Sequence, residues 1–246
     1  MDQVSVTAAS GLQSRMEALD IVANNLANTT TGGFKLDREF YSLFTAADDA
    51  TAEGVSTTLP LIQKQWTDFS QGVLTPTGSS LDLALSGKGF FAVNGPSGPL
   101  YTRNGSFQLS PSGQLTTSEG YAVRDTNGLP IQTQSQDPIE VSDDGSIMQS
   151  GQALGQLQVV DFQDSSVLQK LGNSYFSLSN PKTQPIPAPD TTVRQGKVEN
   201  SNVAPAESAV RLVGLMRQFE MLQKAITITS DMNKQALTEV ARVSGG

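Results

Sequence analysis

From Leu212 onward the positions Leu212, Leu215, Phe219, Leu222, Ile226, Thr229, Asn233, Ala236, Val240 and Val243 alternate steps of three and four, and all but Thr229 and Asn233 are apolar. That is the repeat of a coiled-coil seam, a stripe of side chains that another helix must cover. Between Ala206 and Val243 there is no proline and a single glycine, Gly214, and the pairs Glu207/Arg211 and Glu220/Lys224 stand in the favourable acid-first order. A helix of this length runs roughly 55 Å at about 1.5 Å per residue. Its seam needs a partner.

Within the chain the comparable stretch is the opposite end, where Ala9, Leu12, Met16, Leu19, Ala23 and Leu26 repeat the same alternation before Asn28, Gly32 and Gly33 supply a stop. The expected architecture is therefore α+β. The terminal helices pair as an antiparallel coiled coil, a discontinuous helical domain, and a mainly antiparallel β domain is inserted between them. Leu12, Met16, Leu19, Leu26, Leu212, Phe219, Leu222 and Ile226 are the candidates for helix pairing and assembly, and Asn233, inside the seam, is the candidate for fixing register. The alternative is that each helix packs separately on the β domain. The N-terminal helix, Gln3 to Ala27, also carries Val4, Ala8 and Val22 on an adjacent stripe, which broadens its apolar surface towards either a deeper core or self-association.

The chain of 246 residues is long enough for one large domain or two, and a hydrophobic content of 37% with only 16% charged residues points to a turn-rich β protein. Cysteine and histidine are both absent. That removes disulfides, thiolate nucleophiles, sulfur-ligated metals, and the commonest general base and zinc ligand, so neither an enzyme nor a cofactor is expected. A net charge of −8 without a Lys/Arg cluster argues against nucleic acid. Met1 to Ser10 has Asp2 in place of a basic start, and no cleavable signal or membrane-inserted segment is expected.

Asn24-Asn25-Leu26-Ala27-Asn28-Thr29-Thr30-Thr31-Gly32-Gly33-Phe34-Lys35 has the chemistry of a sharp helix exit. Leu36 to Thr77 reads poorly. Phe40, Tyr41, Leu43 and Phe44 form an apolar knot, 48–56 is a polar loop, and Leu59 to Phe69, with the sole tryptophan Trp66, suggests a strand pair. From Ser80 the pattern is β. Leu81, Leu83 and Leu85 alternate, Phe90 to Val93 is a short apolar run, and Asn104-Gly105 interrupts Tyr101 to Leu109 as a tight-turn signal. Leu157 to Phe162 and Tyr175 to Leu178 read as core strands, and the prolines between Asn180 and Pro189 mark a surface excursion. The expected division is 1–35 and 199–246 for the helical domain, 36–78 for an extended loop and short-strand linker, and 79–198 for the β domain.

Several local patterns have a functional and a plain reading. Gly87-Lys88-Gly89 lacks the spacing of a phosphate loop and reads as a turn. Asp143-Asp144-Gly145 lacks the ligand spacing of a calcium loop and reads as another. Asp82 and Asp161 are the carboxylates a glycosidase-like site would need, with nothing in the sequence to bring them together. Asn28-Thr29-Thr30 and Asn104-Gly105-Ser106 match the glycosylation pattern and are set aside for want of a signal peptide.

The stretch Asn24 to Lys35, with Asn-Asn-Leu-Ala-Asn followed by Thr, Gly, Phe and Lys directly after an amphipathic helix, resembles the N-terminal signature of the axial proteins of the bacterial flagellum, specifically the basal-body rod proteins. A second block is similar to the β-domain entry of the longer rod and hook proteins: Gly72-Val73-Leu74-Thr75, Leu81 to Leu85, Gly87 to Val93 and Tyr101 to Phe107. A third, Val198 to Val203 with Glu207 and Arg217-Gln218-Phe219-Glu220, matches their C-terminal region. Within the family, the β domain, the length, the Met1-Asp2 start and the run Arg217 to Met221 favour the proximal of the two larger rod types over the distal one.

The resemblance implies a structural subunit exported unfolded by the flagellar type III apparatus and assembled helically into the rod that spans the periplasm. Its partners would be other rod proteins, copies of itself and the export apparatus, without nucleic acid, small-molecule substrate or membrane insertion. Asn24, Asn25, Asn28, Gly33 and Phe34 would form the family's turn from helix into loop. From a different class, a carbohydrate-binding or hydrolytic β domain on a helical stalk would need an aromatic patch or a carboxylate pair, and a solitary coiled-coil adhesin would need a parallel trimer.

Overall fold

The computed structural model describes residues 3–45, 58–135, 137–172, 174–180 and 182–244, with the side chains of 3–8, 40–45, 58–64 and several positions from 233 onward outside the description. It is an α+β protein with two α-helices and mostly antiparallel sheets among the described residues. Helix α1 spans Gln3–Ala27 and helix α2 spans Pro205–Ser244. Proline, which lacks a backbone N–H that a first helical position cannot use, opens α2. Two compact units result, one made of Met1–Ala27, Asp37–Thr67 and Ala204–Gly246, the other of Asn28–Leu36 and Asp68–Val203.

In the first unit, β1 (Leu36–Thr45) and β2 (Thr58–Asp68) pair as a two-stranded sheet. The stretch expected as a strand pair is therefore the single strand β2, with Phe69 just beyond its end, and the expected apolar knot lies in strand β1. The sequence hides this because Phe40 and Tyr41 are adjacent, which breaks period-two alternation. The side chains of Phe40, Tyr41, Leu43 and Phe44, and the whole of the loop 48–56, lie outside the described residues.

The second unit is built around β3 (Leu74–Pro76), β4 (Leu83–Ser86), β5 (Phe90–Gly95) and β6 (Gly98–Thr102). Strand β5 pairs antiparallel with β6, with 122–123 and with 159–161 inside a nine-stranded sheet that also takes in 175–178 through β6. The run Phe90 to Val93 is continuously apolar because both faces of β5 are covered. Phe91 and Val93 enter a large core with Leu83, Leu85, Leu115, Ile147 and Val193, while Phe90 and Ala92 turn the other way into an aromatic cluster with Tyr101, Phe162 and Phe176. Phe69 closes that cluster, edge-on to Phe90 and Phe176 at 5.4 and 5.2 Å between ring centroids. The two chain crossings pair with the unit's last strands. Strand β4 lies against 192–195 and β3 against 197–199.

The punctuation mostly makes the expected turns. Gly145 N–H donates to Ser142 O at 2.9 Å in the hairpin between 139–141 and 146–149, and Gly87-Lys88-Gly89 links β4 to β5. Asn104-Gly105 does not make a hairpin, since β6 pairs with β5 and 175–178 rather than with the strand that follows. Gly105 is required there by proximity. A Cβ on it would lie 1.6 Å from Leu83 O, whose residue donates its own N–H to Gly105 O at 2.9 Å.

At one edge of the core Tyr175 donates to Glu119 Oε2 at 2.5 Å. Burial by itself would raise the Glu119 carboxyl, but the hydrogen bonds from Tyr175 and Ser118 outweigh it and hold the group below the ordinary glutamate value. A carboxylate depressed in the folded state adds stability above its unfolded pKa and loses it as pH falls through the folded one. Tyr175→Phe is therefore expected to flatten the acid limb of the β unit's stability profile, read as the thermal midpoint between neutral pH and about pH 3.

Candidate assembly helices and the Gly-Phe-Lys arm

On α2 the residues that face inward are Ser208, Leu212, Leu215, Phe219, Leu222, Ile226 and Thr229, with Ser208 and Leu215 buried and the others half-buried. The side chain of Asn233 lies outside the described residues. On α1 the buried line is Gly11, Ser14, Ala18, Val22 and Asn25. It runs one residue away from the line expected from size. Leu12, Leu19 and Leu26 are half-buried flankers, Ala9 and Ala23 are exposed, and Met16 is 54% exposed. Small residues lie along the contact line, and at Gly11 an added Cβ would stand in ordinary contact with α2, 3.8 Å from Leu222 Cδ1.

Ala18, Val22 and Leu215 form a buried cluster, with Leu19 and Leu212 packed on it. Burying a leucine or valine side chain is worth about 1.5–3 kcal/mol, so this cluster supplies only a few kcal/mol. Arg211 of α2 also pairs with Glu39 of β1, and Arg38 lies over the Trp66 ring at 5.8 Å.

The motif at the end of α1 divides its work between side chain and backbone. Asn25, buried, donates Nδ2–H to Asp37 O at 2.8 Å and accepts Asp37 N–H on Oδ1 at 3.0 Å, so one amide satisfies the start of β1 on both sides. Asn24 is exposed on the last turn, and Asn28 Oδ1 accepts the Thr31 hydroxyl at 3.0 Å while its carbonyl accepts Thr31 N–H at 3.2 Å. Gly33 has φ +67, and a Cβ there would meet Asn104 N at 2.2 Å, so both conformation and space demand glycine. Phe34 is buried, with Lys170 Nζ 3.8 Å above its ring.

Lys35, the next residue, is completely buried, and the sequence offers no sign of it. Its ammonium donates to Glu199 Oε1 at 2.5 Å and to Ser70 O at 2.7 Å. Glu199, also at 0% exposure, accepts Gly72 N–H on Oε1 at 2.9 Å and Arg103 Nη1 on Oε2 at 3.1 Å. Arg103 Nη2 in turn donates to Gly87 O at 2.7 Å. Two cations share one anion in a dry site. Burial pushes the Lys35 ammonium and the Arg103 guanidinium below their ordinary values, and the attraction of Glu199 opposes that push in both. Each of the three residues falls inside a motif block, but only the fold brings together positions separated by 164 residues.

Asp82 bridges to Ser106, and Asp161 ends a strand with its Oδ1 accepting Phe162 N–H at 2.8 Å. Asp143 pairs with Arg194 at 2.8 Å beside its turn. Among the described residues no group of three acidic, histidine or cysteine side chains could hold a metal ion, and no helix is long and apolar enough to cross a membrane.

Three family models match separate stretches of the chain: flagella basal body rod protein over residues 6–35, the flagellar hook protein FlgE/F/G D1 domain over 84–149, and the flagellar basal body rod FlgEFG protein C-terminal region over 194–239. Among similar proteins, the flagellar basal-body rod protein FlgF of Caulobacter vibrioides is 32% identical over 247 residues, covering 99% of this chain and all of that one. The rod protein FlgG of Buchnera aphidicola subsp. Schizaphis graminum is 34% identical over 94% of this chain and 96% of its own. FlgF of Mesorhizobium japonicum is 30% identical over 95% of each.

Proposed function

Because this chain belongs to the flagellar basal-body rod protein family, a family of structural and not enzymatic proteins, we propose that its terminal helices form an antiparallel coiled coil whose uncovered flanks join it to neighbouring subunits. The antiparallel reading is supported by the contact sequence: Gly11, early in α1, approaches Leu222, while Ala18 and Val22, later in α1, pack on Leu215, earlier in α2. In this reading Asn233 sets the register, and Leu12, Met16, Leu19 and Leu26 join Leu212, Phe219, Leu222 and Ile226 in pairing or in contacts between subunits.

The observation that carries assembly is the surplus apolar surface of α2. Val210, Met221, Ile228 and Met232 are 75%, 63%, 51% and 64% exposed, and at about 100° per residue they fall on the side away from Leu215. Helix α2, at 40 residues, is also longer than α1, at 25 residues, by about 22 Å of helix. A helix with two opposed apolar stripes suits a head-to-tail association that does not close, and such an association propagates. Export in an unfolded state by the flagellar type III apparatus, a place in the rod across the periplasm, and contacts with other rod proteins as well as copies of itself complete the proposal. A proximal position in the rod rests on the Met1-Asp2 start and the run Arg217 to Met221, while FlgF and FlgG relatives match the chain about equally.

Leu222→Asp or Ile226→Asp should abolish assembly and swimming while the β unit stays folded. Motility of the mutant strain together with the circular dichroism of the purified chain checks it, and normal swimming refutes it.

A further inference from the structure

The arm 28–36 belongs to the β unit, whereas the helix before it and the strand residues after it belong to the other unit. Every group that holds Gly33, Phe34 and Lys35 through the bonds described above comes from far along the chain. Gly33 N–H donates to Glu199 O at 2.7 Å, and the backbone of Asn104 closes over the place a side chain would occupy. The Phe34 ring lies under Lys170 Nζ, which also donates to Lys35 O at 2.7 Å. The Lys35 ammonium ends on Glu199 and Ser70 O, and Leu36 N–H is received by Asn202 Oδ1 at 2.8 Å. Backbone bonds, a buried ring under a cation, a position open only to glycine and a buried anion are together the elements of a sequence-specific peptide site.

We propose that this slot is a binding site for a Gly-Phe-Lys segment, filled within one molecule by its own arm and able to take the same arm from a second copy of the chain. Exchange of an identical element between protomers creates no new kind of contact, and the arm suits it because the side chains that grip it lie elsewhere in the sequence. Charge complementarity fixes the occupant. The slot presents Glu199 and Arg103 together, and a lysine at the third position of the segment reaches the anion. This inference concerns the β unit and goes beyond helix-mediated assembly, and its test involves no assembled rod.

The full-length Gly33→Val chain cannot seat its own arm, so its slot is free. Titrated with a fluorescein-labelled peptide of the sequence of residues 28–37, it should bind saturably by anisotropy, at least tenfold more tightly than the wild-type chain, whose slot is filled. The peptide carrying Lys35→Ala should bind at least tenfold more weakly. If the Gly33→Val chain loses its β-sheet circular dichroism, the full-length Lys35→Ala chain, which keeps the arm's backbone and removes its charge, is titrated in the same way. Absence of saturable binding, or equal binding of the two peptides, overturns the proposal.

Discussion

A chain carrying Glu199→Ala is expected to lose about 3–5 kcal/mol from the stability of its β unit, because the substitution leaves two buried cations without the carboxylate they share. Lys35 and Glu199 have side-chain exposures of 0% and Arg103 of 3%, so water cannot take the place of the lost carboxylate. Against a total of about 5–15 kcal/mol for an ordinary domain, a loss of that size brings the unit close to unfolding. Urea denaturation followed by far-UV circular dichroism checks it. A shift no larger than that of an exposed pair such as Arg194–Asp143, about 0–1 kcal/mol, would show that the cluster is not dry in solution. Removing the cation in the same background gives the coupling. Lys35→Met together with Glu199→Ala should cost less than the sum of the two single changes.

Gly105→Ala is expected to be as damaging from a single methyl group. The added carbon would lie 1.6 Å from Leu83 O and 2.7 Å from Leu83 C, both backbone atoms of a strand whose side chains fill the main core. No rotamer change relieves a clash with backbone, so β4 has to move, and the cost belongs at or above the upper end of the usual overpacking range of about 1–3 kcal/mol. Gly214→Ala provides the control. It sits in α2 with nothing within 4 Å of the new carbon, and removing a helical glycine should add up to about 1 kcal/mol. Thermal melts of the two variants should therefore move in opposite directions.

The contrast between these glycines shows what could be read in advance. Gly214 is legible as the one glycine in the proline-free stretch Ala206 to Val243, and the inward line of α2 follows from periodicity between Leu212 and Ile226, where its residues are large and apolar. The inward line of α1 is hidden for the opposite reason. Gly11, Ser14 and Ala18 carry little hydrophobic signal, so Leu12 and Met16 dominate the pattern although the tighter packing lies beside them. Asn104-Gly105 has a sequence identical to that of a hairpin turn, and only the approach of Leu83 separates the two uses. The exit from α1 was readable as a motif, but its physical content was not. No local rule marks Lys35 as a buried charge, since its counter-ion lies 164 residues away.

That separation bears on when the molecule can become native. While a ribosome is still making the chain, Lys35 emerges early and Glu199 late, so for most of translation the ammonium lacks the carboxylate that receives it in the fold and must remain in water. Closing so long a loop is entropically slow. Locking of the amino-terminal arm is thus deferred until synthesis is nearly complete, which leaves an unfinished polypeptide pliable for as long as it is being made.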